Sequence, residues 1–407
     1  RRRSVPMYDL CDWFREGLVV IKGLPGVGKT LLAAKAATCF NKVAWFTFYE
    51  TAERLAKYLA SAGLNPPLHV FDLVSVKENA AAEYLVEKVL ELGPDAVVID
   101  GINALASEIE RELLHAVFYH GLSRDGPVIV IKEGTEVTPT DYVADTIIEV
   151  EHKIFEDGVS IRHIKILKAR GRSVRYASLP YIITEESPVV VLPREESREP
   201  PTERFTTGAP ELDQALNGGV LKGSMVAVVG PPDGLASKLM VLTAVALTRS
   251  GHRVLYHHHK VVPTFVKFAE ALGVNWRLPG LTWRYHPVAD HKSLAWWYKS
   301  ASMINREKYD VHFADQYEQV AVVAGKPLLI EAARLYQSTL TYPVTTVLVF
   351  NSHDVWRDVA KDVGSLADYV FIFRRNTLTA YAPDIAEPLR FKFTVDWNKR
   401  RVIFAKT

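Results

Sequence analysis

Gly23-Leu24-Pro25-Gly26-Val27-Gly28-Lys29-Thr30 decides how the rest of the chain is read. Glycines at this spacing let backbone N–H groups close on phosphate oxygens, and a helix starting at Lys29 would aim its N-terminus at the same anion. Lys29 would reach the β and γ phosphates, and the Thr30 hydroxyl would ligate Mg2+. An apolar run, Leu18 to Lys22, precedes the loop, and an apolar-periodic stretch, Lys29 to Phe40, follows it. A plain glycine turn between a strand and a helix is the competing reading, and spacing and context together weigh against it.

Outward from that loop, short β-branched or aromatic runs alternate with helical patterns. The runs are Val43 to Phe48, Leu68 to Leu73, Ala96 to Asp100 and Val128 to Lys132, and the helical patterns are Ala52 to Ala62, Glu78 to Leu92 and Glu110 to Gly121. This is the rhythm of an α/β fold with a mostly parallel sheet covered on both faces. Four further runs, Asp145 to Glu151, Ser160 to Leu167, Val174 to Tyr181 and Val189 to Leu192, are separated by turns such as Asp157-Gly158 and read as appended antiparallel strands. The charged, proline-flanked stretch Pro193 to Pro201 reads as a linker between a domain at 1–196 and one at 202–407.

The second half repeats the first. Pro6 and Asp9 recur as Pro210 and Asp213, Gly23 to Thr30 as Gly230 to Ser237, and Val43 to Phe48 as Val254 to His259. Pairing Val97 to Asp100 with Leu348 to Asn351 makes the offset jump, which predicts an insertion near 275–330, where Trp276, Trp283, Trp296 and Trp297 cluster.

Composition sets the class. The 407 residues are 48% hydrophobic and 24% charged, enough for two buried cores and incompatible with disorder. The formal charge of +2 hides an asymmetry: residues 1–196 hold 23 Lys and Arg against 28 Asp and Glu, net −5, and residues 197–407 hold 26 against 19, net +7. Two cysteines, Cys11 and Cys39, cannot form a disulfide framework and fit a reducing, cytoplasmic interior. Four glutamines in the whole chain are a weak sign of heat adaptation. With no apolar run of membrane-spanning length, and no apolar stretch after Arg1, Arg2 and Arg3, neither a membrane span nor an export signal is expected.

Two carboxylates join the loop as candidates. Asp100 ends a buried strand, where an acid can stand beside Mg2+. Glu50 follows the strand Val43 to Phe48 on the same sheet edge, where it could orient or deprotonate water, or simply serve as a first-turn helix acid.

The order of these motifs resembles the KaiC-like branch of the RecA and RadA ATPase superfamily: phosphate loop, strand ending in aromatic-plus-Glu, strand ending in Asp, then the late segment Leu167-Lys168-Ala169-Arg170-Gly171. The leader of the second half is similar to that of the family's domains, through Thr206-Thr207-Gly208-Ala209-Pro210-Glu211-Leu212-Asp213 and Leu216-Asn217-Gly218-Gly219. The resemblance implies two tandem RecA-like domains and ATP bound with Mg2+ through Gly23, Leu24, Pro25, Gly26, Val27, Gly28, Lys29, Thr30 and Leu31, the metal lying at Thr30 and Asp100. It implies hydrolysis of ATP to ADP and phosphate by Glu50 and Lys29, and a homo-oligomer, ring or dimer, in which Lys168 and Arg170 address a neighbour's γ-phosphate. A basic edge strand guarding against aggregation is the other explanation for those two cations. The family usually carries two adjacent glutamates where this chain has Tyr49 and Glu50, so slow hydrolysis is expected.

The second half keeps the frame and loses the chemistry. In Gly230-Pro231-Pro232-Asp233-Gly234-Leu235-Ala236-Ser237 the lysine position is Ala236 and the last glycine position is Leu235, Asp233 brings a negative charge, and Lys260 and Val261 stand where the acids would be. The expected function is therefore a regulatory or scaffold ATPase whose second, pseudo-ATPase domain contacts a protein partner. The alternative is a DNA-repair accessory protein that grips nucleic acid through the basic half, which holds six of the eight tryptophans and ends in Asn398-Lys399-Arg400-Arg401. A module holding ATP without turnover is a third option. Of His257, His258 and His259 at most two share a strand face, which speaks against a metal site there.

Overall fold

The computed structural model describes residues 10–407 apart from 75, 77–79, 103–106, 120–125, 155–159, 175–176, 185, 192–198, 200 and 341. Pro6, Asp9, the turn Asp157-Gly158 and most of the linker therefore lie outside the described residues. The chain divides into two compact units, one ending near residue 192 and the other running on from it.

In unit 1 the strands are β1 (Leu18–Gly23), β2 (Val43–Thr47), β3 (Leu68–Asp72), β4 (Ala96–Asp100), β5 (Val128–Glu133), β6 (Thr146–Ile154), β7 (Ser160–Ala169), β8 (Ser178–Ile183) and β9 (Pro188–Val190). They form one sheet in the order β3-β2-β4-β5-β1-β6-β7-β8-β9. Helices α1 (Lys29–Ala37), α2 (Ala52–Ser61), α3 (Ala81–Leu92), α4 (Ser107–Tyr119) and α5 (Pro139–Val143) connect the parallel strands. Central strands β1, β2 and β5 are continuous apolar runs because both their faces are covered. One face packs α1 residues such as Leu32 and Ala36 with Ile21 and Trp45, and the other packs Leu85 and Leu113 with Val20 and Phe46. The run starting at Asp145, expected to be antiparallel, pairs parallel with β1 as β6, and the direction reverses only from β7 onward.

Unit 2 repeats this topology. Its strands are β10 (Arg204–Phe205), β11 (Val220–Leu221), β12 (Met225–Val229), β13 (Val254–His258), β14 (Leu281–Tyr285), β15 (Val311–Ala314), β16 (Thr345–Phe350), β17 (Tyr369–Arg374), β18 (Thr377–Tyr381), β19 (Leu389–Asp396) and β20 (Arg401–Lys406). The main sheet runs β14-β13-β15-β16-β12-β17-β18-β19-β20, strand for strand the order of unit 1. Its helices are α6 (Pro210–Ala215), α7 (Leu235–Arg249), α8 (Lys267–Ala271), α9 (Leu294–Glu307), α10 (Glu318–Thr339, kinked at Gly325) and α11 (His353–Leu366).

That order corrects two expectations. The counterpart of β4 is β15, and the counterpart of β5 is β16, so Val97 to Asp100 does not match Leu348 to Asn351. Residues 275–330 hold no insertion: they supply β14, α9, β15 and the start of α10, all positions of the repeated pattern. The false pairing arose because Leu348 to Asn351 is a smooth apolar strand with an amide at its end, whereas β15 reads Val-His-Phe-Ala and carries its acid one residue later, at Asp315.

The cysteine reading also changes. Cys11 and Cys39 are bonded, with Cα atoms 5.7 Å apart, and the bridge fastens the 3-10 turn Leu10–Phe14 to the chain just after α1. One bridge is no framework, yet it removes the free thiols on which the reducing-interior reading rested; disulfides inside cells are otherwise a trait of hyperthermophiles. Among the described residues no helix is long and apolar enough to cross a membrane.

Candidate functional site

The loop between β1 and α1 emerges at the carboxyl edge of the unit 1 sheet. Gly28, at φ 104°, is the residue that turns the chain into α1, and a Cβ there would press on Ile183 and the ring of Tyr181 at 2.9 and 3.1 Å. Gly23 sits so close to β6 that a Cβ would strike the Val150 carbonyl oxygen at 2.4 Å. Both positions need glycine for steric reasons, which is why the spacing was legible. Tyr181 Oη donates to the Gly28 carbonyl at 2.9 Å and braces the turn from below. Leu24, Pro25 and Gly26 are exposed, while Val27 and Leu31 turn their side chains into the core.

Lys29 is 3% exposed, and its ammonium donates to the Leu24 carbonyl at 2.8 Å and to Glu133 Oε2 at 2.9 Å. Glu133 was not foreseen as a site residue. It ends β5, whose pairing with β1 sets Glu133 opposite Gly23, and reciprocal bonds between Gly23 and Gly134 hold that arrangement. A strand-terminal acid is common, and only the β1–β5 register makes this one a neighbour of Lys29.

Thr30 hydrogen-bonds Asp100, the residue that β2–β4 pairing sets opposite Thr47. Burial, then the nearby charges of Glu50 and Glu133, push the Asp100 carboxyl up to about 7, against the lowering pull of Lys29 and Thr30. Glu50 is half-buried, its N–H donating to Thr47 Oγ1 at 3.2 Å. Tyr49 lies against Gly101, where a Cβ would meet its ring at 2.3 Å, and its hydroxyl is pushed up by burial and then by Glu133 and Asp100. Lys29, Thr30, Glu50 and Asp100 are thus gathered with Glu133 and Tyr49 at one sheet edge.

Lys168 and Arg170 are engaged elsewhere. Lys168 Nζ donates to the carbonyls of Asp141 and Tyr142 at 3.1 and 3.0 Å, and Arg170, 60% exposed in its side chain, stands 3.6 Å from Asp145. Neither has a hydrogen bond to the phosphate loop of its own unit among the described residues.

The acidic segment 133–141 is pinned from beneath. Lys22 and Lys132, both nearly fully buried, converge on Asp141, and Lys132 also donates to Thr138 Oγ1 at 3.1 Å. Burial alone would raise the Asp141 carboxyl, but the Lys132 contact, the Thr138 N–H and Lys22 bring it below its ordinary value. Glu110 of α4 accepts from Thr138 and Thr140 on the other side. Two of the segment's acids are therefore spent internally or on Lys29.

The donor set of unit 1 suits a nucleoside triphosphate with a divalent ion: a glycine-capped helix start, a buried lysine and a hydroxyl–carboxyl pair. An Mg2+ site of this kind needs one or two side chains plus phosphate oxygens and water, and Thr30 and Asp100 are the side chains that fit it.

Unit 2 has the same frame with a different filling. Ser237, the counterpart of Thr30, donates to Asp315 Oδ1 at 2.6 Å, so the hydroxyl–carboxyl pair survives and the acid lost at Asn351 was never the counterpart of Asp100. Asn351 instead occupies the place of Glu133, donating to Ser237 Oγ at 2.8 Å. The phosphate loop is satisfied from within. Pro231 and Pro232 have no N–H, the Asp233 carboxylate accepts from Leu235 N at 2.9 Å, and Gly234 N donates to the Pro231 carbonyl at 3.3 Å. Nothing replaces Lys29, because Ala236 stands there, fully buried.

The histidines are core. His257 and His312 bond ring to ring at 3.0 Å, His259 stacks edge-on to His291 with centroids 4.1 Å apart, and burial holds His259 and His286 down at about 4 and His312 at about 3. Trp296 packs against His286 and His291, and Trp297 is 1% exposed. This cluster offers no stacking platform for a nucleic acid, and of the tryptophans Trp397 is the one largely exposed, at 58%.

A family model described as "ATPase: KaiC" matches residues 74–196, a stretch that holds Asp100, Glu133, Lys168 and Arg170. Over 96 residues the chain is 31% identical to the DNA repair protein RadA of Aquifex aeolicus (strain VF5), covering 23% of this chain and 21% of that protein. Over 120 residues it is 28% identical to Protein GvpD2 of Halobacterium salinarum, covering 26% and 24%. Each match spans less than a quarter of the relative's own length.

Proposed function

We propose that this chain is a KaiC-like member of the RecA superfamily, which the matches over parts of the chain support, and that unit 1 binds Mg2+ and ATP and hydrolyses ATP slowly, while unit 2 is a pseudo-ATPase domain that makes partner contacts. The observation that carries this reading is the meeting of Lys29, Thr30, Asp100 and Glu50 at one sheet edge. Lys29 and the loop N–H groups would hold the β and γ phosphates; Thr30 and Asp100 would hold Mg2+, which when bound supplies charge stabilisation to the transferring phosphoryl group. Glu50 accepts the proton of the attacking water or orients it. After β2 the chain carries Tyr49 and a single acid, Glu50, which supports slow turnover. Lys168 and Arg170, not drawn into their own site, suit a role at a neighbouring subunit's phosphates in a homo-oligomer. A regulatory or scaffold role completes the reading; the cytoplasmic location that goes with it requires an interior that tolerates the Cys11–Cys39 bridge, as in hyperthermophiles.

Phosphate release tests it. Wild type should release phosphate slowly, Glu50→Gln should bind ATP without releasing phosphate, and Lys29→Ala should do neither. Release by Lys29→Ala at the wild-type rate would end the reading.

A second reading, nucleic-acid binding through the basic unit 2, draws on the similarity to RadA. A grip on about six duplex phosphates would give a log-log salt slope of about −5. A flat response to salt removes it.

A further inference from the structure

Between α7 and the sheet of unit 2 lies a cavity of about 240 Å3. Its walls are apolar, built from Val226, Val228, Val245, Phe313, Phe371 and Phe404 among others, and its polar edge includes Arg249, Arg400 and Arg401. The two units differ at the leader that flanks this space. The 3-10 turn before β1 drives Trp13 and Phe14 into the core beside α1, whereas the leader of unit 2 sets Phe205, Leu212 and Val220 on the cavity wall.

Water suits the space poorly. A buried water needs two to four polar partners, and the wall hydroxyls of Thr206 and Thr207 are both taken by Asp213, at 2.5 and 2.6 Å. The edge is cationic. Arg401 is paired with Glu211 at 3.0 Å, but Arg249, at the end of α7, and Arg400, in the β19–β20 turn, have no ion-pair partner among the described residues.

We propose that this cavity binds a single-chain amphiphile with an anionic head, the hydrocarbon lying against the valines and phenylalanines and the head meeting Arg249 and Arg400. At 240 Å3 the space is below the range that takes drug-sized ligands, so the chain is of medium length. A carboxylate or a phosphate head meets the same guanidinium chemistry. The proposal rests on the core of unit 2 alone and is independent of ATP turnover in unit 1.

Dodecanoate, dodecyl phosphate and dodecanol are titrated into the full chain by calorimetry. One or both anionic probes should bind, and the tighter of the two names the head group. Arg249→Glu with Arg400→Glu should weaken the anionic probes by about tenfold or more, as expected for losing about 1.4 kcal/mol of charge-assisted binding, and leave dodecanol unchanged. Ala246→Phe, which fills the cavity, should abolish binding of all three; if that variant fails to fold, the exposed arginine pair decides alone. Absence of binding by the anionic probes, unchanged affinity in a folded Ala246→Phe, or anionic affinities unaffected by the arginine reversals would overturn the proposal.

Discussion

Ser237 Oγ lies 2.6 Å from Asp315 Oδ1, in the places that Thr30 and Asp100 occupy in unit 1. On the proposed reading, the second unit keeps the hydroxyl–carboxyl pair of the site and lacks the lysine on its phosphate side. What closes that side is the Asp233 carboxylate, which takes up a loop N–H that would otherwise face an anion.

Asp315 makes this testable through pH. It is fully buried, and burial, the largest influence, raises its carboxyl from the ordinary 3.8 to about 7. The native form keeps the proton up to about pH 7, while the unfolded chain releases it near pH 4. Between those values the native state holds more protons, so stability falls as pH rises through that window and stays lower above it. Asp315→Asn cannot ionise and should gain stability over wild type at pH 8, by up to about 4 kcal/mol, with near parity at pH 4. Urea unfolding at the two pH values measures this, and equal loss of stability at both would speak against it.

On the proposed reading, Glu133, which accepts from Lys29, would compete with a bound phosphate for that ammonium. The pair is buried at the lysine end and about one-third exposed at the glutamate end, so its net contribution is at most about 1 kcal/mol. Glu133→Gln should strengthen binding of a non-hydrolysable ATP analogue by up to about fivefold, read by calorimetry. Weaker binding would mean that Glu133 helps to hold the ligand.

Asp141 neutralises two buried lysines, Lys22 and Lys132. Asp141→Ala strands both charges and should cost unit 1 about 3–5 kcal/mol, seen as loss of its melting transition or a large downward shift. A change below 1 kcal/mol would show that water reaches the site.

The Cys11–Cys39 bridge closes a loop with a sequence separation of 28. On the chain-entropy account, reducing it should lower the stability of unit 1 by about 3–4 kcal/mol and leave unit 2 unaffected. Calorimetric scans with and without reductant should differ by that amount for unit 1, and Cys11→Ser without reductant should match the reduced wild type; identical scans with and without reductant would contradict the account.

Residues whose role is local were legible without coordinates. Gly23 and Gly28 were legible from their spacing within one loop, although the atoms that crowd them, on Val150, Tyr181 and Ile183, lie on distant strands, and Asp100 ends a strand of ordinary composition. Glu133 was hidden because its partner lies 104 residues away and is brought near only by the β1–β5 register. Asp315 was missed because β15 carries a buried histidine, His312, in a run that reads as mixed rather than apolar, so a smoother strand drew the alignment to Asn351. The disulfide depended on the path of the leader before β1, which two isolated cysteines could not indicate.

The most direct test of one working site and one closed site is the number of nucleotides bound per chain, measured by equilibrium dialysis with a non-hydrolysable ATP analogue and Mg2+. One nucleotide per wild-type chain and none for Lys29→Ala is the predicted result; two per wild-type chain, or one surviving in Lys29→Ala, would contradict it.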